Sequence, residues 1–212
     1  MVYEKLLGSS YLNLAHFYFI MIDLNAYVGT SRLAELMEEC SQRTSFRRFE
    51  RGGCSTINGF GGIHGSSKYF ERALLRCILQ DLPRGTFLDL GSSGGLVVIE
   101  AARENWAAYG IDLCQRCCSF ARECICEAEQ VGYIPKDRAI IIEGNFFPPH
   151  FQVIRSRGDD DPFEDPIVKH QRASTSDDPY ARRRIALANI NLFFHYQVER
   201  MDNIIRFFAQ EA

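Results

Sequence analysis

The rhythm of apolar and polar positions changes three times along the chain. Residues 1 to about 45 repeat apolar side chains at helical spacing without strand-type alternation, which predicts a helical N-terminal extension. Within it, Ser31 stands as the N-cap of a helix from Arg32 to Cys40. Residues 44 to 67 are rich in Gly and Ser and read as loop. Helical spacing resumes from Lys68 to Gln80, placing Phe70, Ala73, Leu74, Cys77 and Ile78 on one face.

From residue 86 the pattern is different. Short apolar runs at Thr86 to Leu90, Ala107 to Ile111 and Ala139 to Ile142 alternate with helical stretches at Leu96 to Asn105 and Cys114 to Gln130. Strands alternating with helices of this length imply parallel βαβ units with right-handed crossovers, so the predicted class is α/β, a parallel sheet flanked by helices. Residues 155 to 184 break the rhythm: nearly half are charged, acids balance bases, and few are apolar. Such a segment buries too little surface to offset its ordering entropy, which predicts a disordered insertion. Ile185 to Phe194 then reads as a fourth strand and Val198 to Ala209 as its helix. The expected organisation is a helical extension and Gly-rich loop over 1–65, followed by the α/β unit over 66–212 with about four strands.

Composition narrows the function classes. A chain of 212 residues with 46% hydrophobic content can bury a real core as one domain with an appendage. Its net charge of -3 leaves no electrostatic footprint for nucleic acid or an anionic membrane. The apolar run Phe17 to Ile22 is too short to span a bilayer and reads as a buried helix. Five of the eight cysteines, Cys114, Cys117, Cys118, Cys124 and Cys126, crowd into one predicted helix, unlike the dispersed pattern of a secreted disulfide scaffold. They lack a second C-x-x-C knuckle or a nearby histidine, so they read as small apolar packing groups and no metal is expected. The expected location is intracellular, cytoplasm or nucleus.

The chemistry concentrates in Thr86-Phe-Leu-Asp-Leu-Gly-Ser-Ser-Gly-Gly95. A turn of small residues lets the backbone approach a ligand, and the helix that follows offers free N–H groups. Gly91, Gly94 and Gly95 do not fit the G-x-G-x-x-G spacing of nicotinamide and flavin sites. Asp89 would also repel a pyrophosphate, whereas a carboxylate there suits a ligand carrying an ammonium and a sulfonium. That preference points to S-adenosyl-L-methionine. Asp112, closing the second strand, is placed to accept both ribose hydroxyls, and Glu143-Gly-Asn145, closing the third, to meet the adenine edge. The expected cofactor-binding set is Asp89, Gly91, Ser93, Gly95, Asp112, Leu113, Asn145 and Phe146.

The stretch from about 66 to 147 resembles the class I S-adenosylmethionine-dependent methyltransferases. Asp89, Gly91 and Gly95 match that family's first motif, Asp112 its second, and Asn145 stands where the family often has Asp. Phe87-Leu-Asp-Leu-Gly-Ser, Val97-Val98, Ala101-Ala102 and Tyr109-Gly-Ile-Asp112 resemble histone lysine methyltransferases lacking a SET domain and small bacterial-type protein lysine methyltransferases. The resemblance implies a Rossmann-like sheet and methyl transfer to a protein lysine or a small molecule. Two departures count against activity. Ser93 replaces the middle glycine of the turn, at a cost of roughly 1 kcal/mol or more if φ is positive there. Only four of the family's seven strands can be placed, which implies a C-terminally incomplete domain through a truncated reading frame, a degenerate non-enzyme or an assembly completed by a partner. A fourth strand left as an edge would invite pairing into an oligomer. The alternative function is therefore a catalytically inactive methyltransferase-like interaction domain.

Several other features weigh less. Asp177-Asp-Pro-Tyr180 is similar to the motif with which amino-group methyltransferases stack a flipped base, but polar residues precede it where a buried strand is required, so it reads as coincidence. Asn189 or Asn191 would suit orienting a substrate amine, with strand-end packing as the plainer role. Tyr69 and Glu71 read as helix-surface residues, and Arg182 to Arg184 as solvated charge. No residue earns a base role, and the catalytic set stays unassigned.

Overall fold

The computed structural model describes residues 30–42, 67–147, 151 and 178–195. The expectations for Phe17 to Ile22, for the Gly- and Ser-rich loop, for most of the insertion and for a helix over Val198 to Ala209 concern residues outside this set.

The chain runs α1 (Ser31–Gln42), α2 (Ser67–Asp81), β1 (Thr86–Leu90), α3 (Leu96–Arg103), β2 (Ala107–Asp112), α4 (Gln115–Gln130), β3 (Ala139–Glu143), α5 (Pro179–Arg183), a 3-10 turn (Leu187–Asn189) and β4 (Leu192–His195). Among the described residues, four strands form one parallel sheet in the order β3-β2-β1-β4. Thr86 lies opposite Ala107, and Leu90 opposite both Ile111 and His195. The predicted α/β class is what the structure shows.

Both faces of the sheet are covered, which is why β1 is a nearly continuous apolar run rather than an alternating one. Phe87 packs on one face with Val98, Ile99, Ala102, Ala121 and Cys124 from α3 and α4. Leu88 and Leu90 pack on the other with Ile111, Ile142, Phe146, Tyr180 and Ile190. Cys117, Cys118 and Cys124 are buried on the inner side of α4, as small apolar groups should be, whereas Cys126 is exposed. Leu33 and Leu36 of α1 meet Ala73 and Cys77 of α2, joining the first helix to the α/β unit.

Local chemistry moved several boundaries. Thr30, not Ser31, caps α1, its Oγ1 accepting from the Leu33 N–H at 3.2 Å. Cys114 is the N-cap of α4 rather than its first residue, its Sγ accepting from the Cys117 N–H. The expected disorder does not reach residue 184: Asp178 caps α5 through the N–H groups of Tyr180 and Ala181, Pro179 sits in the first turn, and Pro179 and Tyr180 are buried. The fourth strand is shorter than its apolar run suggests. Asn191 exchanges hydrogen bonds with Thr86, backbone N–H to carbonyl at 2.9 Å and Oδ1 from the Thr86 N–H at 2.7 Å, so parallel pairing begins only there.

Candidate functional site

The carboxyl ends of the strands meet at the turn after β1. Gly91, Ser93 and Gly95 all have positive φ, at 80°, 46° and 78°. Ser93 therefore carries the left-handed strain that its replacement of glycine implied. The N–H groups of Gly91 and Ser92 both donate to the Ile111 carbonyl, at 2.9 and 3.0 Å, which clamps the turn onto β2. Gly95, the residue from which α3 departs, has no room for a side chain, because an added Cβ would lie 2.9 Å from Cβ of Ala121. Gly110 is needed for the same reason: a Cβ there would stand 2.7 Å from Ser92 Oγ and from Val98 Cγ2.

Asp112 is tied to this turn. Its Oδ2 accepts from the Ser93 N–H at 2.8 Å, and its Oδ1 from the Cys114 N–H at 2.8 Å. Burial raises its pKa, while the backbone N–H groups of Cys114, Ser93 and Leu113 pull it back down. Asp89, one strand away, is 4% exposed. Burial, and then the negative charge of Asp112, push its pKa up to about 8, and among the described residues no hydrogen bond offsets either effect. The structure thus brings Asp89, Gly91, Ser93, Gly95, Asp112 and Leu113 together around one bend.

Asn145 and Phe146 are placed differently. Asn145 Oδ1 accepts from the Phe147 N–H at 3.0 Å, forming a local turn at the end of β3. Phe146 is 6% exposed and packs against Phe147 and His195, with ring centroids 4.6 and 5.9 Å away. Its side chain belongs to the core cluster on the face opposite α3 and α4. Tyr180 is buried beside it and donates its hydroxyl to the Phe146 carbonyl at 2.8 Å, a packing role that leaves no ring face for a flipped base. Asn191 sits at the amino end of β1, the wrong end for a substrate amine, and Asn189 is exposed in the turn leading into β4.

Among the described residues, two buried polar atoms near the turn have no hydrogen-bond partner: Ser92 Oγ and His195 Nε2. A buried acceptor left unpaired costs about 1–3 kcal/mol, so such atoms mark where a ligand donor would be welcome. Sequence reasoning passed over both. The signal for His195 was a polar residue closing an apolar run, visible only once the strand end is placed one residue beyond Phe194.

An open cavity of about 470 Å³ lies at the end of β3, lined by Arg122, Glu143, Arg182 and Arg183. None of the turn residues lines it. Arg182 spans it to the Glu143 carbonyl at 2.6 Å, and Arg122 approaches the Glu143 carboxylate at 3.9 Å. It is a solvated charged recess on the flank of α4, not the place where the strand ends converge. Among the described residues no helix is long and apolar enough to cross a membrane.

The geometry is that of a Rossmann-like α/β unit with two acidic strand positions gathered at its first turn. No protein-family model matches the chain, and no curated protein matches it.

Proposed function

We propose that the chain binds S-adenosyl-L-methionine at the turn after β1 and transfers its methyl group to a protein lysine or a small molecule. The observation that carries the reading is the pair of acids. Asp112 is locked to the turn by the Ser93 N–H, and Asp89 is buried near it with no compensating donor among the described residues. A buried carboxyl kept neutral for want of a partner is a site for a cation. An ammonium or sulfonium would supply the missing charge, and a dinucleotide would not. Asp112 retains acceptor capacity for ribose hydroxyls, since each carboxylate oxygen offers two lone-pair positions.

The sulfonium brings an already activated methyl group, so the protein's contribution is placement and exclusion of water. The strained turn supplies the first and the apolar clusters on both sheet faces the second.

The test is calorimetric titration of the full chain with S-adenosylhomocysteine, S-adenosylmethionine and NAD. Binding of the first two and not the third is expected, with Asp112→Ala weakening it by roughly 100-fold, the scale of two lost charge-assisted hydrogen bonds. Because both Asp112 oxygens already accept backbone N–H groups, a second reading stands beside the first: a domain of this fold that works by interaction alone. A folded chain that binds none of the three ligands would favour it.

A further inference from the structure

β4 joins the sheet beside β1 on the side away from β2, so the chain reverses its winding direction between these two strands. In open parallel sheets ligands enter at that reversal, beyond the carboxyl ends of the strands. The residue at the carboxyl end of β4 is His195, paired with Leu90, the residue immediately before Gly91.

We propose that His195 Nε2 receives the N–H of the methyl acceptor, an amine, and takes up its proton. The inference rests on the methyltransferase reading given above.

The orientation of the ring follows from its one hydrogen bond. His195 Nδ1 lies 2.9 Å from the Leu90 carbonyl oxygen. A carbonyl only accepts, so Nδ1 carries the proton and donates, and in the neutral imidazole Nε2 is then a bare lone pair. That lone pair is buried and unpartnered. The half-buried ring stands 5.9 Å from that of Phe146, whose own cluster also holds Phe147, Leu90 and Ile190. A lone pair buried beside an aromatic ring, with no acid bonded to it among the described residues, favours an uncharged amine over an ammonium. Anchoring through Leu90 couples the imidazole directly to the turn at Gly91. The amine nitrogen forms its new bond to carbon as the sulfur–carbon bond breaks, with that electron pair staying on sulfur. The surplus N–H proton passes to Nε2 and from there to water.

The test uses calorimetry with two probes. One is an adenosyl analogue whose sulfonium is replaced by a tertiary amine bearing a methyl group; the other, the armed probe, replaces that methyl by an aminoethyl arm, which carries a primary N–H to the acceptor position. The wild-type chain should bind the armed probe about tenfold or more tightly than the methyl probe, the scale of pairing a buried acceptor otherwise left unsatisfied. His195→Asn keeps a donor for the Leu90 carbonyl but lacks Nε2. It should bind the methyl probe within about twofold of wild type and lose the gain from the arm. Nitrogen-15 long-range correlation spectra of the wild-type histidines give a second readout that does not depend on the variant folding: His195 should show protonated Nδ1 and bare Nε2, with Nε2 shifting when the armed probe is added. An arm that brings no gain, a gain that survives in His195→Asn, or an Nε2 indifferent to the probe overturns the assignment while leaving cofactor binding intact. Failure of the folded wild-type chain to bind S-adenosylhomocysteine removes the cofactor reading and this inference with it.

Discussion

Glu100 and Asp89 are both buried carboxyl side chains, 0% and 4% exposed, yet their surroundings are opposites. Glu100 accepts from Arg72 Nε and Nη2 at 2.9 and 2.6 Å and from the Tyr133 hydroxyl at 3.0 Å. Next to it, Arg76 bonds Glu104 at 2.6 Å and Glu39 at 3.0 Å, and Arg103 pairs with Glu39. Burial works against the charge of Arg76, but its contacts with Glu104 hold its pKa above the ordinary value. This network stitches α1, α2 and α3 to Tyr133. Among the described residues, the charged neighbour that acts on Asp89 is another acid, Asp112. The contrast separates two uses of buried charge. Where every carboxylate has its cation inside the chain, the charges position helices. Where a carboxyl is buried against another acid and no cation among the described residues answers it, the proposed partner is a ligand.

The largest expected effect attacks the paired side. Glu100→Ala takes the carboxylate from Arg72 and Tyr133 and should cost about 3–5 kcal/mol in urea unfolding, the range for breaking a buried pair by removing one member. A loss below about 1 kcal/mol would erase the distinction between the two regions.

The next effect tests the unpaired side by pH. Because the Asp89 pKa is raised from 3.8 to about 8, the folded state holds a proton that the unfolded state has already released. Stability from this group is complete below the unfolded value and is lost as pH rises through that window. Asp89→Asn should therefore be increasingly stabilising relative to wild type between pH 5 and 8, on the order of a few kcal/mol at the upper end, with parallel unfolding curves as the measurement. In wild type, cation binding near neutral pH should also release a proton, visible as a buffer-dependent binding enthalpy. A variant whose advantage does not change with pH would mean that Asp89 is already ionised.

A smaller effect sharpens the role of the bend. Gly95→Ala meets both a positive φ of 78° and a 2.9 Å approach to Ala121, and should cost about 1–3 kcal/mol in thermal unfolding while also weakening S-adenosylhomocysteine. The smallest lies at Ser93. Ser93→Gly relieves the strain at φ 46° while keeping the N–H that Asp112 accepts, and should stabilise the chain by about 1 kcal/mol with little change in ligand affinity. A loss of stability there would show that the serine side chain compensates its own strain.

The α/β class, the first three strands, the helices between them and the bend with its two acids were legible in the sequence because each rests on short-range pattern: apolar runs, helical spacing, small residues at a turn. Even the strain at Ser93 followed from reading one residue against its neighbours. The placement of β4, the core role of Phe146 and the importance of His195 were not legible. Each depends on contacts between distant parts of the chain, such as the His195 ring at the Leu90 carbonyl across 105 residues. Asn191 shows the same limit: its hydrogen bonds to Thr86 start the β4 pairing and place it at the amino end of the sheet. Local propensity decides which elements form and what their turns contain. Strand order decides which side chains share the open end of the sheet, and it is set by how two apolar faces are buried at once, a property of the assembled layers rather than of any one segment.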